Sequence, residues 1–448
     1  MIIQKVKKQH IIESLRFDGS YHLSDGTLYL RKLRKMPHQE LQSLCSDIFT
    51  AGRSKRIYTE KNKGFPYLSN SDVVKGNPLE GCKYNSKKYA FDEPSFLKEG
   101  MIVTGRVGAI GQTAYITSEL EDNQVMGSDN IIRIVCKDKN ISGYVYSFLT
   151  SKYGNTLINR LAAGGVQPYI SEDMLKDIPI PILSAETQQQ IHQLIVEASE
   201  LRVEANRLLD EAQNKITSKL NFRKSTIYQK TSITDIITSH QKRFESQYHK
   251  SIGSNYRDRI LNSDHILLRD ASEDIFRPGI FKRNYVKQGV DFLGGADITK
   301  SIPDSDKKLS KRNTPNFDEL TLKEDWILVT CGGTIGASVL VNSYLATKLA
   351  SQHILRVIPK GIKTGYLFAF LSSEIGVKVI QSFTYGSVIP QIEPHHLELV
   401  PIPLLNDEIM NQIDSDVMRY KLNINEAILK ENQAIALIEK EIDLWQVS

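Results

Sequence analysis

The chain has 448 residues, of which 40% are hydrophobic and 24% charged, with a formal charge of +5. That length exceeds a single hydrophobic core and predicts two or three domains. No run approaches the roughly 18 to 20 apolar residues of a membrane helix, which sets a membrane protein aside, and the mild basicity admits a polyanionic partner. Cys45, Cys82, Cys136 and Cys331 stand far apart without CxxC spacing, which argues against a zinc site and a disulfide framework. The opening MIIQKVKKQH has no apolar signal core, so the expected compartment is the cytoplasm.

In chain order, RFDGSYH at 16–22 comes first, within a stretch of sixty residues that holds eleven Lys or Arg against six acids. Gly52-x-x-Lys55-Arg56-x-Tyr58 follows, and then LKEGMIVTGRVGAIG at 97–111. The runs MIVTG, TAYI and NIIRIV are β-prone and broken by Gly and Asn punctuation, the pattern of strands joined by tight turns. YVYSFLTSKY reads as an apolar helical segment, followed by a glycine turn and an exit at Pro179-x-Pro181. Proline at both positions predicts an extended exit that neither continues a helix nor pairs in a sheet.

Residues 184–220 contain no proline or glycine. Ile191, Ile195, Ala198, Ala205, Leu209, Ala212 and Ile216 recur at alternating spacings of four and three, interrupted by Arg202. That is a coiled-coil pattern, and at 1.5 Å per residue it predicts a rod of roughly 55 Å. Between Lys215 and Arg259 ten Lys or Arg face three acids.

The same order then returns. RFESQYH and Gly279-x-x-Lys282-Arg283-x-Tyr285 repeat their first copies at an offset of 227, and LKEDWILVTCGGTIG at 322–336 repeats at 225. GYLFAFLSSEIG and GSVIPQIEPHHLELVPIPLL follow at 222, with Pro401 and Pro403 at the exit. A second glycine-free tract carries Ile413, Val417, Tyr420, Ile424, Ala427, Ala434 and Ile438, interrupted by Glu431. The duplication predicts an α+β protein of two similar α/β units and two long antiparallel coiled-coil helices related by a pseudo-two-fold repeat, the helices packing on each other and separating the units.

Motifs for chemistry are missing. The glycine turns supply neither GxxxxGK[ST] nor GxGxxG. PDSDKK at 303–308 places Asp304 and Asp306 two apart in a polar turn, and His395-His396 lacks HExxH spacing. Gln167-Pro168-Tyr169 and Phe65-Pro66-Tyr67 lack the second proline of an amino-methyltransferase motif. No catalytic or metal-ligating residue is expected.

LKxGDILxxxxGxxG-like phrases in tandem, each followed by an Lxx(I/V)PIPxL exit (LKDIPIPIL, LELVPIPLL) and a long helix, resemble the specificity (S) subunit of type I restriction–modification enzymes over nearly the whole chain. Met101 and Trp326 stand where that family often has Asp. The resemblance implies target recognition domains at 1–183 and 223–405, each reading half of a split sequence in double-stranded DNA. It implies spacer helices at 184–222 and 406–448 that dock two adenine-N6 methyltransferase subunits. Restriction subunits complete that complex; S-adenosylmethionine, ATP and magnesium belong to the partners, with no cofactor on this chain. Lys55, Arg56 and Tyr58, with Lys282, Arg283 and Tyr285, are the candidates for phosphate contact, since charge and hydroxyl suit backbone oxygens and recur in both copies. Asn70, Arg106, Gln167 and Tyr169, with Thr334, Ser387 and Gln391, are the candidates for base edges. Ile191, Ile195, Ala198, Leu209, Ile216, Ile413, Val417, Tyr420, Ile424 and Ile438 are the candidates for the helical seam and partner docking. Two other readings are a two-domain protein-binding scaffold and the recognition half of a fused restriction–methylation enzyme.

Overall fold

A computed structural model describes residues 6–8, 11–12, 15–53, 55–89, 92–163, 167–220, 222, 231–238, 242–386 and 390–445. The chain divides into two compact units, Met1–Val203 with Glu426–Ser448, and Glu204–Asn425. Among the described residues no helix is long and apolar enough to cross a membrane.

In unit 1 the apolar runs of the sequence become β6 (Ile102–Gly105) and β9 (Ile131–Cys136), the centre of an antiparallel sheet ordered β2 (Cys45–Thr50), β9, β6, β7 (Thr113–Tyr115). Alternate side chains leave opposite faces of a strand. Ile102, Ile132 and Ile134 accordingly pack under the helices, while Val103 and Ile131 join a separate cluster with Leu68 and Leu97 on the other side. Coverage on both faces explains why these strands read as continuous apolar runs instead of alternating ones. A second sheet, ordered β3 (Tyr58–Thr59), β5 (Lys83–Ser86), β4 (Gly64–Leu68), β8 (Met126–Gly127), carries the basic loop.

Unit 2 repeats this plan. Its main sheet is ordered β12 (Ser272–Phe276), β18 (Ile354–Pro359), β15 (Ile327–Thr330), β16 (Ser338–Leu340), and its smaller sheet β14 (Lys308–Leu309), β13 (Val290–Leu293), β17 (Leu349–Ala350). Ile327, Val329, Leu355 and Val357 face the helices; Leu328 and Ile354 face the opposite cluster.

The apolar segment after the sheet is two helices, not one. Ser142–Thr150 is followed by Lys152–Leu161, because Ser151 adopts an extended backbone and its hydroxyl accepts from Gly154 N–H at 3.3 Å, starting a new helix. Ser373 does the same between Thr364–Ser372 and Glu374–Ser382, accepting from Gly376 N–H at 3.1 Å.

The exits correct the sequence expectation. Pro179–Pro181 (β10) pairs antiparallel with β1 (His38–Glu40), and Pro401–Pro403 (β19) with β11 (His265–Leu267). The flanking bonds, Leu41 N–H to Ile178 O at 2.9 Å and Ile182 N–H to Pro37 O at 2.8 Å, share the parity of the Gln39–Ile180 pair. Pro179 and Pro181 therefore occupy the positions whose N–H points away from the partner strand, so nothing is lost there by lacking one. Leu268 N–H to Val400 O and Leu404 N–H to Asp264 O, both 2.9 Å, set the same parity around Ile266–Ile402.

The proline- and glycine-free tracts form helices Ala185–Leu220 and Asp407–Leu444, each contributing a stretch to both units. In unit 2 Glu204 pairs with Arg419 at 3.7 Å and Lys215, further along, with Asp416, further back, at 2.8 Å, so the helices run antiparallel. Ile191, Ile195, Ala198, Leu209, Ile216, Ile413, Val417 and Ile438 are buried, while Tyr420 and Ile424 are partly so; Tyr420 stacks on Phe368 at 5.8 Å. Each unit's globule touches its helix stretch through a glycine. A Cβ on Gly143 would lie 2.9 Å from His192 O, and one on Gly365 2.8 Å from Asp414 O. The same glycines donate their N–H groups to the long helices, to His192 Nδ1 at 3.1 Å and Asp414 Oδ1 at 2.8 Å.

The two polar interruptions of the seam find each other. In unit 1 Arg202 Nη2 lies 2.5 Å from Glu431 Oε2, with side chains 12% and 3% exposed, and Tyr146 donates its hydroxyl to Glu431 Oε1. At the repeat offset of 222 these positions are Ile424, Leu209 and Phe368 in unit 2, all apolar. Breaking a buried pair by removing one partner costs about 3 to 5 kcal/mol, whereas an apolar replacement of similar volume is often neutral or stabilising. Glu431→Ala is thus expected to lower stability by about 3 to 5 kcal/mol. The triple change Tyr146→Phe, Arg202→Ile, Glu431→Leu, which installs the unit 2 residues, should match or exceed the parent in urea denaturation followed by circular dichroism. A triple variant weaker than Glu431→Ala would show the polar layer to be irreplaceable.

Candidate functional site

In each unit the turn of the duplicated phrase is tied by hydrogen bonds and bridges to neighbouring segments. Gly108 and Gly111 have φ of 80° and 81°, and Gly333 and Gly336 of 74° and 89°, left-handed values that a side chain disfavours. In unit 1 Arg106 N–H donates to Asn130 O at 2.9 Å, and Ile170 N–H donates to Arg106 O at 3.0 Å. In unit 2 Cys331 N–H donates to His353 O at 3.1 Å, and Ile392 N–H to Cys331 O at 3.2 Å. Arg106 and Cys331 are therefore equivalent positions in the two turns. Tyr169 bridges Val107 and Ala163, as Gln391 bridges Gly332 and Tyr385.

These bonds bring most of the base-edge candidates to one place in each unit. Asn70 donates Nδ2 to Val107 O at 2.7 Å and so holds the turn. Gln167 and Tyr169 are exposed beside it, Tyr169 by 43%, and Arg106 is half-buried. In unit 2 Thr334 is exposed at the tip, its carbonyl accepting from the Thr330 hydroxyl, and Gln391 is half-buried. Ser387 lies outside the described residues, as do Arg223, Lys224 and Lys230 of the basic stretch.

The phosphate candidates sit on the adjoining smaller sheet. Asn85, fully buried, accepts from Ile57 N–H at 2.8 Å and so fixes the loop that carries Lys55 and Arg56 into Tyr58. Lys55 is exposed, Arg56 is 46% exposed, and Tyr58 lies 6.2 Å edge-on from Tyr67 with the Lys83 ammonium 4.7 Å above its ring. The Arg56 guanidinium lies 5.8 Å over Tyr67 and donates Nη2 to Asp129 at 2.7 Å; that hydrogen bond raises its pKa. Arg53, 93% exposed, reaches the other Asp129 oxygen at 3.4 Å. In unit 2 Lys282, Arg283 and Tyr285 are exposed, Arg283 lies 5.6 Å over Phe292, Tyr285 is 6.4 Å from that ring, and Arg283 donates Nη2 to Gln352 Oε1 at 2.9 Å. The constellation Arg56, Tyr58, Tyr67, Asp129 thus has a counterpart in Arg283, Tyr285, Phe292, Gln352.

Buried arginines fix the turns that present the last member. Arg133, with no exposed surface, donates to Ile131 O at 2.7 Å, Ser128 O at 3.3 Å, Gly127 O at 2.6 Å and Ser95 O at 3.1 Å. Arg356, equally buried, donates to Ser351 O at 2.8 Å and to the carbonyls of Ile354 and Ala350. Burial pulls their pKa values down, to about 10 and about 9.

Sequence reasoning missed Tyr67, Asp129, Arg133, Arg53 and their partners in unit 2. The signal was present, since Asp129 and Arg133 face Gln352 and Arg356 at an offset of 223. Arg277 was also missed; it donates Nε to Gln352 O at 2.7 Å and pairs with Glu393, which also accepts from the Tyr385 hydroxyl at 3.0 Å. Among the described residues no group of three or more His, Cys, Asp or Glu is placed to hold a metal ion.

Beside this edge of unit 2, His396 accepts Glu393 N–H through Nδ1 at 3.0 Å. Burial first, then the neighbouring His395 and Arg243, lower its pKa from 6.5 to about 4. The unfolded chain therefore takes up this proton below about 6.5 while the folded chain does not, so stability falls with pH until about 4 is reached. The denaturation midpoint should drop between pH 7 and pH 4.5, and His396→Met, the residue of the equivalent position 174, should flatten that dependence. An equally steep profile in the variant would locate the titration elsewhere.

The model for the type I restriction modification DNA specificity domain matches the chain twice, at residues 44–209 and 274–437. Among solved structures, a type I restriction–modification S subunit from M. genitalium is 13% identical, over 91% of this chain and 94% of that one, with a TM-score of 0.30. A structure described as showing complex assembly and conformational transition of the type I R-M system is 15% identical, over 91% and 97%, at a TM-score of 0.29. The type IIG restriction endonuclease BpuSI is 10% identical, over 42% of this chain and 30% of that one, at 0.30. No curated protein matches.

Proposed function

Because the chain belongs to the type I restriction modification DNA specificity domain family, we propose that it is the sequence-reading subunit of a type I restriction–modification system, each unit reading one half of a split target. The observation that carries this reading is the repeated constellation: the same arginine, tyrosine and aromatic ring beside the same glycine turn in both units. Charge and hydroxyl that recur suit phosphates, which are alike everywhere. Side chains that differ at equivalent positions, Tyr169 against Gln391, suit bases, which are not.

Adenine-N6 methyltransferase subunits, two per chain, and restriction subunits are the proposed partners, directed to the target by this chain in the cytoplasm. S-adenosylmethionine, ATP and magnesium would be held by those partners, with this chain contributing recognition and no catalytic group. Each unit leaves a leucine of the second long helix exposed, Leu422 by 62% in unit 2 and Leu429 by 53% in unit 1, which supports a docking role for that helix.

Adenine methylation mapped across the host genome tests the two-part target. The expected motif has two specified blocks whose identities change independently when residues 1–183 or 223–405 are exchanged for those of another family member. A single block that depends on one unit only would overturn the reading. For the phosphate role, Lys55→Gln with Arg56→Gln should weaken binding to every duplex alike and lower the salt slope by up to about two units. A change confined to sequence preference would reassign these residues to bases.

A further inference from the structure

The acceptor that holds the repeated arginine is a carboxylate in one unit and an amide in the other. Asp129, 13% exposed, takes Arg56 at 2.7 Å and Arg53 at 3.4 Å. Gln352, 5% exposed, takes Arg283 at 2.9 Å. Both acceptors stand on turns tied down by a buried arginine, so neither turn yields easily. A phosphate that engages Arg56 has to compete with a fixed negative charge, and one that engages Arg283 competes with a neutral dipole only. The guanidinium lies 5.8 Å over Tyr67 in one and 5.6 Å over Phe292 in the other, while Arg53 also reaches the carboxylate in unit 1 and Arg277 holds the Gln352 carbonyl in unit 2.

On the DNA-reading function proposed above, we infer that Asp129 and Gln352 are positioning residues that set how readily each unit releases its arginine to the DNA backbone. Unit 1 is restrained by the Asp129 carboxylate and grips phosphate only where the rest of its contacts are made. Unit 2, with Gln352, grips duplex of any sequence more readily. The asymmetry makes one half-site the place of first, loosely selective contact and the other the place of discrimination. Charged hydrogen bonds are stronger than neutral ones, but a pair this close to solvent contributes little, so the expected effects are modest.

Fluorescence anisotropy of the full chain, co-purified with its methyltransferase, on non-target duplex at fixed salt tests this. Asp129→Asn is expected to tighten binding roughly threefold to tenfold, and Gln352→Glu to weaken it by a similar factor. Each effect should vanish when the arginines are absent, Asp129→Asn in an Arg53→Gln, Arg56→Gln background and Gln352→Glu in an Arg283→Gln background. Asp129→Glu should restore wild-type affinity, with thermal midpoints confirming the fold of every variant. Tightening that persists in the arginine-free background would mean a general loss of repulsion and overturn the inference. So would unchanged affinity in Asp129→Asn while the arginine variants bind weakly, a result that leaves DNA reading intact. If the wild-type complex binds no duplex at all, the functional reading itself falls, and this inference with it.

Discussion

A guanidinium with no access to water must be met by hydrogen-bond acceptors, and in each unit carbonyl oxygens meet it in a way that shapes the candidate surface. Arg133 gathers the carbonyls of residues 127, 128 and 131, which bends the chain into the turn that carries Asp129 and Asn130. Asn130 in turn accepts Arg106 N–H and so locates the glycine turn. Arg356 does the same for Gln352 and His353. Desolvating such a group is costly unless its donors are filled, so the turn cannot relax without stranding a charge. One buried side chain thereby couples the main sheet, the acceptor of the exposed arginine and the position of the glycine turn.

Duplication supplied two similar frames, and divergence shows where each frame tolerates change. Main-chain bonds around Arg106 and Cys331 survive with opposite side chains, because the constraint lies in the backbone. In the helical layer the Arg202, Glu431 and Tyr146 trio of unit 1 stands where unit 2 has Ile424, Leu209 and Phe368. Single buried polar positions fix register in coiled coils, and the Arg202–Glu431 pair occupies a seam position of that kind in unit 1.

Much of the architecture was legible from periodicity. The heptad tracts, the strands and the repeat follow from spacings that any fold must respect, and the seam positions Ile191, Ile195, Ile413 and Val417 are buried as their spacing requires. What escaped depended on long-range placement. Arg202 and Glu431 were visible as interruptions, but nothing local says that they meet. Asp129 is 73 residues from Arg56, and only the folded sheet brings the carboxylate to the loop. The Pro-x-Pro pairing was misjudged because proline was weighed by its missing donor without asking which way that donor would have pointed.

That direction has a further consequence. At Pro179 and Pro181, and at Pro401 and Pro403, the outer rim of each two-stranded ribbon has no N–H to offer. The outward carbonyls of Pro181 and Pro403 are already taken by the hydroxyls of Tyr144 and Tyr366, at 2.7 Å and 2.6 Å. An unpaired strand rim is ordinarily a template for adhesion to other polypeptides. Here the proline strands, buried in both units, offer no outward N–H to a further strand, so each ribbon stops at two strands.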